Sequence, residues 1–250
     1  MRKPMVAGNW KMNGASEFAS LMSTQLNQHA ASIGSVDVVV CPPTLYLAQV
    51  QNDAISYASA AQNVHFEEAG AYTGETSVAM LKDLGVEYVL VGHSERREMF
   101  ADTDAVVANK VAAVIARSLV PILCIGESLE QRRNGEAFEV VKKQLLSALQ
   151  AVTLKGGEVV VAYEPIWAIG TGETATPEQA QEIHAYIRSV LAAEISAQVA
   201  EKTRILYGGS VSAATAAELF SQQDIDGGLV GGASLKIADF KTICSAAADL

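Results

Sequence analysis

Three reactive side chains follow apolar runs that have the composition of buried strands. Glu164 comes directly after VVVAY, His93 directly after YVLVG, and Lys11 two residues after MVAGN. A carboxylate becomes a stronger base when apolar neighbours desolvate it, a neutral imidazole can donate a hydrogen bond to a carbonyl oxygen, and an ammonium group attracts anions. Each residue alone also has an ordinary explanation, as a solvated glutamate, a satisfied polar histidine or a lysine that closes a strand. Chemistry is expected only if the fold brings the three together.

The segment EPIWAIGTG (164–172) is unusual for a connection because its first residues are mostly apolar. Loops usually carry polar residues, since their backbone faces water. An apolar segment directly after Glu164 is therefore interpreted as a flap that covers the carboxylate.

His93 precedes SERREMF, which is predicted to form a short helix. The N-terminus of a helix carries a partial positive charge of about half a unit, which disfavours an imidazolium. We therefore expect His93 to be neutral. Glu95 and Cys124 are expected to support or pack behind the site.

Two glycine pairs follow the last two apolar runs, in Gly208-Gly209-Ser210 and in Gly231-Gly232. Glycine lets backbone N–H groups approach an anion without a Cβ in the way. Either pair alone is read as an ordinary tight turn. Together, after consecutive strands, they predict an anion site, and ASLKIADF after the second pair could form a short helix there.

The elements that must position these residues alternate between strand and helix. Eight apolar runs are predicted strands: 5–9, 36–41, 55–62, 88–93, 120–126, 158–164, 203–209 and 226–231. Amphipathic stretches between them predict helices at 16–33, 103–118, 129–152 and 176–195. The last has Thr176 as its expected N-cap and Pro177 at its first position.

Eight such units in 250 residues predict an α/β fold, a parallel eight-stranded closed sheet with outer helices, the (β/α)8 barrel. A doubly wound open sheet is the alternative, but GNWKMNG after the first strand is not a dinucleotide or P-loop motif. With no linker or low-complexity tract, residues 1–250 are expected to form one domain.

The chain carries 18 Lys and Arg against 28 Asp and Glu, a net charge of −10. This balance disfavours nucleic acid and anionic membranes as partners, because both require clustered cations. The three cysteines are far apart in the chain and predict neither a disulfide framework nor a zinc site. The N-terminus does not have the pattern of a signal peptide, and no apolar run approaches the ~20 residues that span a bilayer. A cytoplasmic protein is expected.

The chain resembles the triosephosphate isomerase family along its whole length. The motifs that carry the resemblance occur in order: GNWKMN, VGHSERR, CIGE, AYEPIWAIGTG, YGGSV and LVGGASL. The resemblance implies a TIM barrel that interconverts dihydroxyacetone phosphate and D-glyceraldehyde 3-phosphate in glycolysis and gluconeogenesis, with no metal and no organic cofactor.

The resemblance also implies roles for individual residues. Glu164 would move a proton between C1 and C2 through an enediol(ate), and neutral His93 would polarise the carbonyl and shuttle protons between the oxygens. Lys11 and Asn9 would contact the substrate and stabilise negative charge, with Glu95 supporting them. The phosphate would be held around Gly170, Ser210, Gly231 and Gly232.

In the same family the flap after Glu164 is a lid that keeps water from the intermediate. Here it would comprise Pro165, Ile166, Trp167, Ala168, Ile169, Gly170, Thr171, Gly172, Glu173, Thr174 and Ala175. Pro165 and Trp167 would stiffen the first hinge. Glu173 departs from the family pattern, which often has lysine there. An acid at this second hinge leaves the chemistry intact but is expected to alter the opening rate and the stability of the lid.

The stretch NVHFEEAGAYTGETS (63–77) lacks periodicity and is long for a connection. In the family the matching loop docks into a second subunit beside Asn9 and Lys11. The resemblance therefore implies a homodimer with Thr73 near the tip of the docking loop.

Two alternatives stay open on the residues alone. One is another phosphosugar-barrel enzyme, such as an aldolase that forms a Schiff base on Lys11. The other is an inactive phosphate-binding or scaffold protein, which would need neither Glu164 nor His93.

Overall fold

The computed structural model describes residues 2–169 and 175–249, and within them eight short strands close into a barrel. The strands are β1 Met5–Asn9, β2 Asp37–Cys41, β3 Ala58–Ala61, β4 Tyr88–Val91, β5 Val120–Ile125, β6 Val160–Tyr163, β7 Arg204–Tyr207 and β8 Gly227–Val230.

Every neighbouring pair of strands is parallel, and β8 pairs with β1 to complete the ring. The closing register joins Met5 to Gly227 and Gly8 to Val230. The predicted closed parallel barrel is therefore confirmed, and the open doubly wound sheet is excluded.

Eleven α-helices lie within the described residues, and most of them connect one strand to the next. They are α1 Ser16–Ser32, α2 Thr44–Asp53, α3 Val78–Asp83, α4 Ser94–Met99, α5 Asp104–Ala116, α6 Leu129–Arg133, α7 Ala137–Leu149, α8 Pro177–Glu194, α9 Ala197–Lys202, α10 Ala216–Phe220 and α11 Ile237–Ala248. Not one of them is long and apolar enough to cross a membrane.

Two apolar clusters explain why the strands read as continuous apolar runs. Met5 and Ala7 belong to a smaller cluster with side chains of the other strands, whereas Val6 between them belongs to the larger cluster shared with the helices. Successive side chains of a strand point to opposite faces, so a barrel covered by helices buries both sets.

The start of α8 follows its sequence closely. The Thr176 hydroxyl oxygen accepts a hydrogen bond from the Gln179 amide, the Thr176 amide donates to Gln179 Oε1, and Pro177 occupies the first turn. This reciprocal capping confirms the predicted N-terminus and fixes where the chain re-enters the outer layer.

Two predicted elements differ from the structure by more than two residues at an end. The helix expected over 129–152 is broken into α6 and α7, because Gly135 adopts a φ of +77° and stops the first helix. The strand expected over 55–62 begins only at Ala58. The amides of Ile55 and Ser56 instead donate to the Asn27 side chain, which leaves Ile55 85% exposed.

Candidate active site

The carboxyl ends of β4 and β6 place His93 against Glu164. His93 Nε2 lies 3.1 Å from Glu164 Oε1, and the Ser94 amide donates to Glu164 Oε2 at 3.0 Å. Glu164 is 2% exposed and His93 6%. The two residues predicted to share the chemistry therefore meet in a buried position at the mouth of the barrel.

The backbone of α4 determines the state of the His93 ring. His93 is the N-cap of this helix, and its Nδ1 accepts a hydrogen bond from the Glu95 amide at 3.2 Å. A ring nitrogen that accepts cannot carry a proton, so the hydrogen is on Nε2, which faces Glu164. This geometry corresponds to a neutral imidazole whose donor points toward the site.

Lys11 reaches the same mouth from the end of β1. Its backbone is left-handed, with φ of 51°, and two contacts hold it: the Lys11 amide donates to Asn9 Oδ1 at 3.0 Å and Gln62 donates to the Lys11 carbonyl at 2.9 Å. Lys11 Nζ forms an ion pair with Glu95 Oε1 at 2.7 Å. Glu95, expected behind the site, thus contacts the Lys11 ammonium directly and is itself partly exposed.

A cavity of about 450 Å³ connects these side chains to the two glycine pairs. Asn9, Lys11, His93 and Glu164 line it, together with Gly208, Gly209, Ser210, Gly231 and Gly232. A 3-10 turn over Gly232–Leu235 follows the second pair, as the sequence suggested, and Ser234 donates to the Gly231 carbonyl at 2.7 Å.

The first glycine pair is packed too tightly for any larger residue. A Cβ on Gly208 would lie 2.9 Å from Glu164 Cγ, and one on Gly209 would lie 2.3 Å from Tyr207 Oη. These glycines therefore serve two purposes, since they expose backbone to the cavity and leave room for the glutamate beside it.

The residues after Glu164 turn back over the barrel end. Ile166–Ala168 form a 3-10 turn, Ala168 is fully buried and Ile169 lines the cavity. Ala175, at the other end of the predicted lid, is also buried. The remaining predicted lid residues, Gly170, Thr171, Gly172, Glu173 and Thr174, lie outside the described residues.

Glu127 belongs to this region, although the sequence predicted no role for it. It is fully buried after β5, and its Oε1 accepts from Trp167 Nε1 at 2.8 Å and from the Tyr163 hydroxyl at 3.0 Å. Arg132 forms an ion pair with the same oxygen at 3.3 Å, and its guanidinium lies 4.8 Å from the centre of the Trp167 ring. The sequence feature that points to Glu127 is its position in CIGE, a polar residue at the end of a predicted strand.

The nearby thiol of Cys124 is a packing group, as expected. Burial raises its pKa well above the ordinary value, and the negative charge of Glu164 raises it further. Because a protonated thiol is a poor nucleophile, the structure provides no activation for covalent chemistry at this position.

Thr73, the residue expected near the tip of the docking loop, is exposed in a turn between β3 and α3. Its main-chain neighbours define that turn, in which the Glu75 amide donates to the Tyr72 carbonyl at 3.0 Å. The loop therefore presents Thr73 to the outside of this subunit.

Comparisons with known proteins agree with this architecture. A family model described as triosephosphate isomerase matches residues 4–247. The triosephosphate isomerase of Delftia acidovorans is 52% identical over 249 residues, which covers 99% of this chain and 100% of that protein. That of Alkaliphilus oremlandii is 52% identical over 243 residues, 96% and 98% of the two chains. That of Hydrogenovibrio crunogenus is 50% identical over 253 residues, which spans both chains fully. With the barrel and the strand-end residues in place, the chain belongs to the triosephosphate isomerase family.

Proposed function

We propose that this chain interconverts dihydroxyacetone phosphate and D-glyceraldehyde 3-phosphate by proton transfer through an enediol(ate), as a glycolytic isomerase without metal or organic cofactor. The observation that carries the proposal is one cavity lined by two chemically different sets of residues. Glu164 and the neutral His93 ring belong to the first set, and the two glycine pairs form the second. A triose phosphate has the same division, with reacting carbons at one end and an anion at the other.

Glu164 is the base that moves the proton between C1 and C2. In this structure its two oxygens contact His93 and the Ser94 amide. To reach a substrate carbon, the carboxylate therefore has to leave these contacts and turn toward the cavity. His93 donates through Nε2 to the carbonyl oxygen and returns protons between the two oxygens.

Lys11 and Asn9 stabilise the charge that develops on the substrate oxygens. An α-proton of a ketone is far too weakly acidic for a carboxylate in water, so the site has to stabilise the enediolate as it forms. One preorganised donor of this kind contributes roughly 3–4 kcal/mol. Lys11 is preorganised here by its ion pair with Glu95 and by the two hydrogen bonds that hold its backbone.

The phosphate binds to backbone amides around Gly170, Ser210, Gly231 and Gly232. Because this group is remote from the reacting carbons, its binding energy is available to favour the closed, reactive arrangement. The apolar residues 165–169 then cover the intermediate and keep water from it, with Glu127 holding Trp167 in place.

We also propose that the protein is a cytoplasmic homodimer whose subunits are single barrel domains. A second cavity, of about 720 Å³, opens beside Asn9, Lys11 and Glu95. The apolar side chains Met12, Met99 and Phe100 line it, and all three are exposed in this subunit. A loop of a second copy, carrying Thr73, would cover them and the Lys11–Glu95 pair.

The test is a coupled assay on dihydroxyacetone phosphate without added metal, run on the wild type and on Glu164→Asp. The substitution retracts the carboxylate by one methylene, and a misplacement near 1 Å costs on the order of 10²-fold in kcat. Retained turnover in the variant would mean that the base is misassigned. Borohydride trapping of the substrate on Lys11 would instead support the aldolase alternative.

A further inference from the structure

The loop between β3 and α3 contains a stack of three aromatic rings. The His65 ring lies between Phe66, at 4.5 Å between ring centres and 25° between planes, and Tyr72, at 4.3 Å and 32°. His65 Nδ1 also accepts a hydrogen bond from the Glu67 amide at 3.1 Å. No step of the proposed reaction uses this histidine.

The same histidine closes the base of the loop through its backbone. The His65 amide donates to the Thr76 carbonyl at 2.8 Å, and His65 pairs with Ser77 in a parallel bridge. Ser77 then caps α3 by accepting from the Met80 amide. The two ends of the loop are therefore fixed to each other and to the following helix within one subunit.

The tip of the loop is shaped by the ring that stacks on His65. The Tyr72 carbonyl accepts from the Glu75 amide, and Gly74 has a φ of +91° inside that turn. On the other side, Gly70 has a φ of +138°, and a Cβ there would lie 3.0 Å from the Tyr72 ring. The position of Tyr72 therefore sets the position of Thr73.

One ionic contact connects the middle of the loop to the barrel. Glu68 forms an ion pair with Arg117, which follows α5. Both side chains are well exposed, so the pair contributes little by itself. The ring stack, in contrast, joins the first residues of the loop to Tyr72 near its tip.

We infer that His65 is a positioning residue for subunit association: its ring, held between Phe66 and Tyr72, orders the Thr73 turn before a second copy is met. The inference rests on the homodimer proposed above and adds a mechanism to it. Association costs less when the inserted segment already has its bound conformation, because ordering a loop at the interface opposes binding.

The experiment measures the dimer dissociation constant by sedimentation over a dilution series for wild type, His65→Ala and His65→Phe. We expect His65→Ala to weaken the dimer at least about tenfold, since both ring contacts are lost. His65→Phe keeps a ring in the stack and should stay within about threefold of wild type. His29→Ala, on α1, makes the same substitution outside the loop and should have no effect.

A second measurement follows loop order without relying on association. In dilute protein, a glutamate-specific protease should cut the loop at Glu67, Glu68 or Glu75 about ten times faster in His65→Ala than in wild type or His65→Phe. An unchanged dissociation constant together with unchanged cleavage in His65→Ala overturns the inference while leaving the homodimer in place. A wild type that stays monomeric at every concentration overturns both.

Discussion

Two sets of residues line the cavity, and they are built in different ways. In the proposed catalytic set, side chains from distant parts of the chain contact each other, with His93 3.1 Å from Glu164 and Lys11 2.7 Å from Glu95. The proposed anion set consists of the two glycine pairs, and a Cβ on Gly208 or Gly209 would clash with its neighbours. The first set thus depends on particular functional groups, whereas the second depends on the absence of side chains.

The largest effect is expected from removing the base alone. Glu164→Gln keeps the size of the side chain and should lower kcat on the order of 10³- to 10⁴-fold, because general base catalysis is lost. Inhibition by inorganic phosphate, measured as Ki in the same assay, should change by less than about threefold, since an amide leaves the proposed anion set intact. A large change in Ki would show that the two sets of residues are not independent.

The two sets of residues meet at Gly208, so a substitution there tests whether they are independent. Gly208→Ala places a Cβ 2.9 Å from Glu164 Cγ and 3.1 Å from the Tyr163 carbonyl. Displacing the carboxylate should lower kcat about 10²-fold, and displacing the turn should raise the Ki for phosphate in the same variant. Steady-state kinetics that show a change in only one of the two constants would contradict this coupling.

Gly232→Ala is the matched control at the other glycine pair. No described atom lies within 4 Å of a Cβ placed there, so the fold accepts the methyl group. We expect an unchanged melting temperature, a nearly unchanged kcat and a Ki for phosphate about tenfold higher, equivalent to about 1.4 kcal/mol. Thermal unfolding measures the effect on the stability of the fold, and inhibition by phosphate measures the effect on anion binding.

The smallest effect at neutral pH is expected from His184, which is fully buried. Its ring contacts Tyr163, which precedes Glu164, and Tyr207, which precedes Gly208. Complete burial lowers the pKa of His184 from its ordinary value of 6.5 to about 3, despite a hydrogen bond to the Asp224 carbonyl.

In the unfolded chain His184 is therefore protonated below pH 6.5, whereas in the folded chain it stays neutral down to about pH 3. The free energy of unfolding should be unaffected above pH 6.5 and should fall as the pH drops below it, by about 3 kcal/mol at pH 4.5. Urea unfolding at pH 7.5 and 4.5 measures this loss, which should be absent in His184→Gln. If His184→Gln has the same pH dependence as wild type, another group is responsible.

The sequence predicted the fold and most of the strand ends because both depend on local composition. Continuous apolar runs mark strands covered on both faces, and Thr176 with Pro177 marks a helix start. The break at Gly135 was missed because a single glycine inside an amphipathic pattern does not reveal its backbone angle.

Contacts between buried polar groups were harder to predict. Glu127 was visible at a strand end, but its contacts with Tyr163, Arg132 and Trp167 join three separate elements. Likewise, the left-handed backbone of Lys11 follows from hydrogen bonds to Asn9 and Gln62 rather than from the residue type. Such contacts depend on the distances between residues that are far apart in the chain, and a local sequence pattern does not specify those distances.

By itself, the sequence determined the eight alternating strand–helix units, the residue types at the strand ends and the positions where a Cβ is absent. Only the tertiary structure decided that Glu164 meets His93, that Lys11 pairs with Glu95 and that Gly208 lies against the glutamate. The physical reason is that burial and backbone preference act between neighbours in the chain. The distances between reactive groups, in contrast, are set when β8 pairs with β1 and the barrel closes.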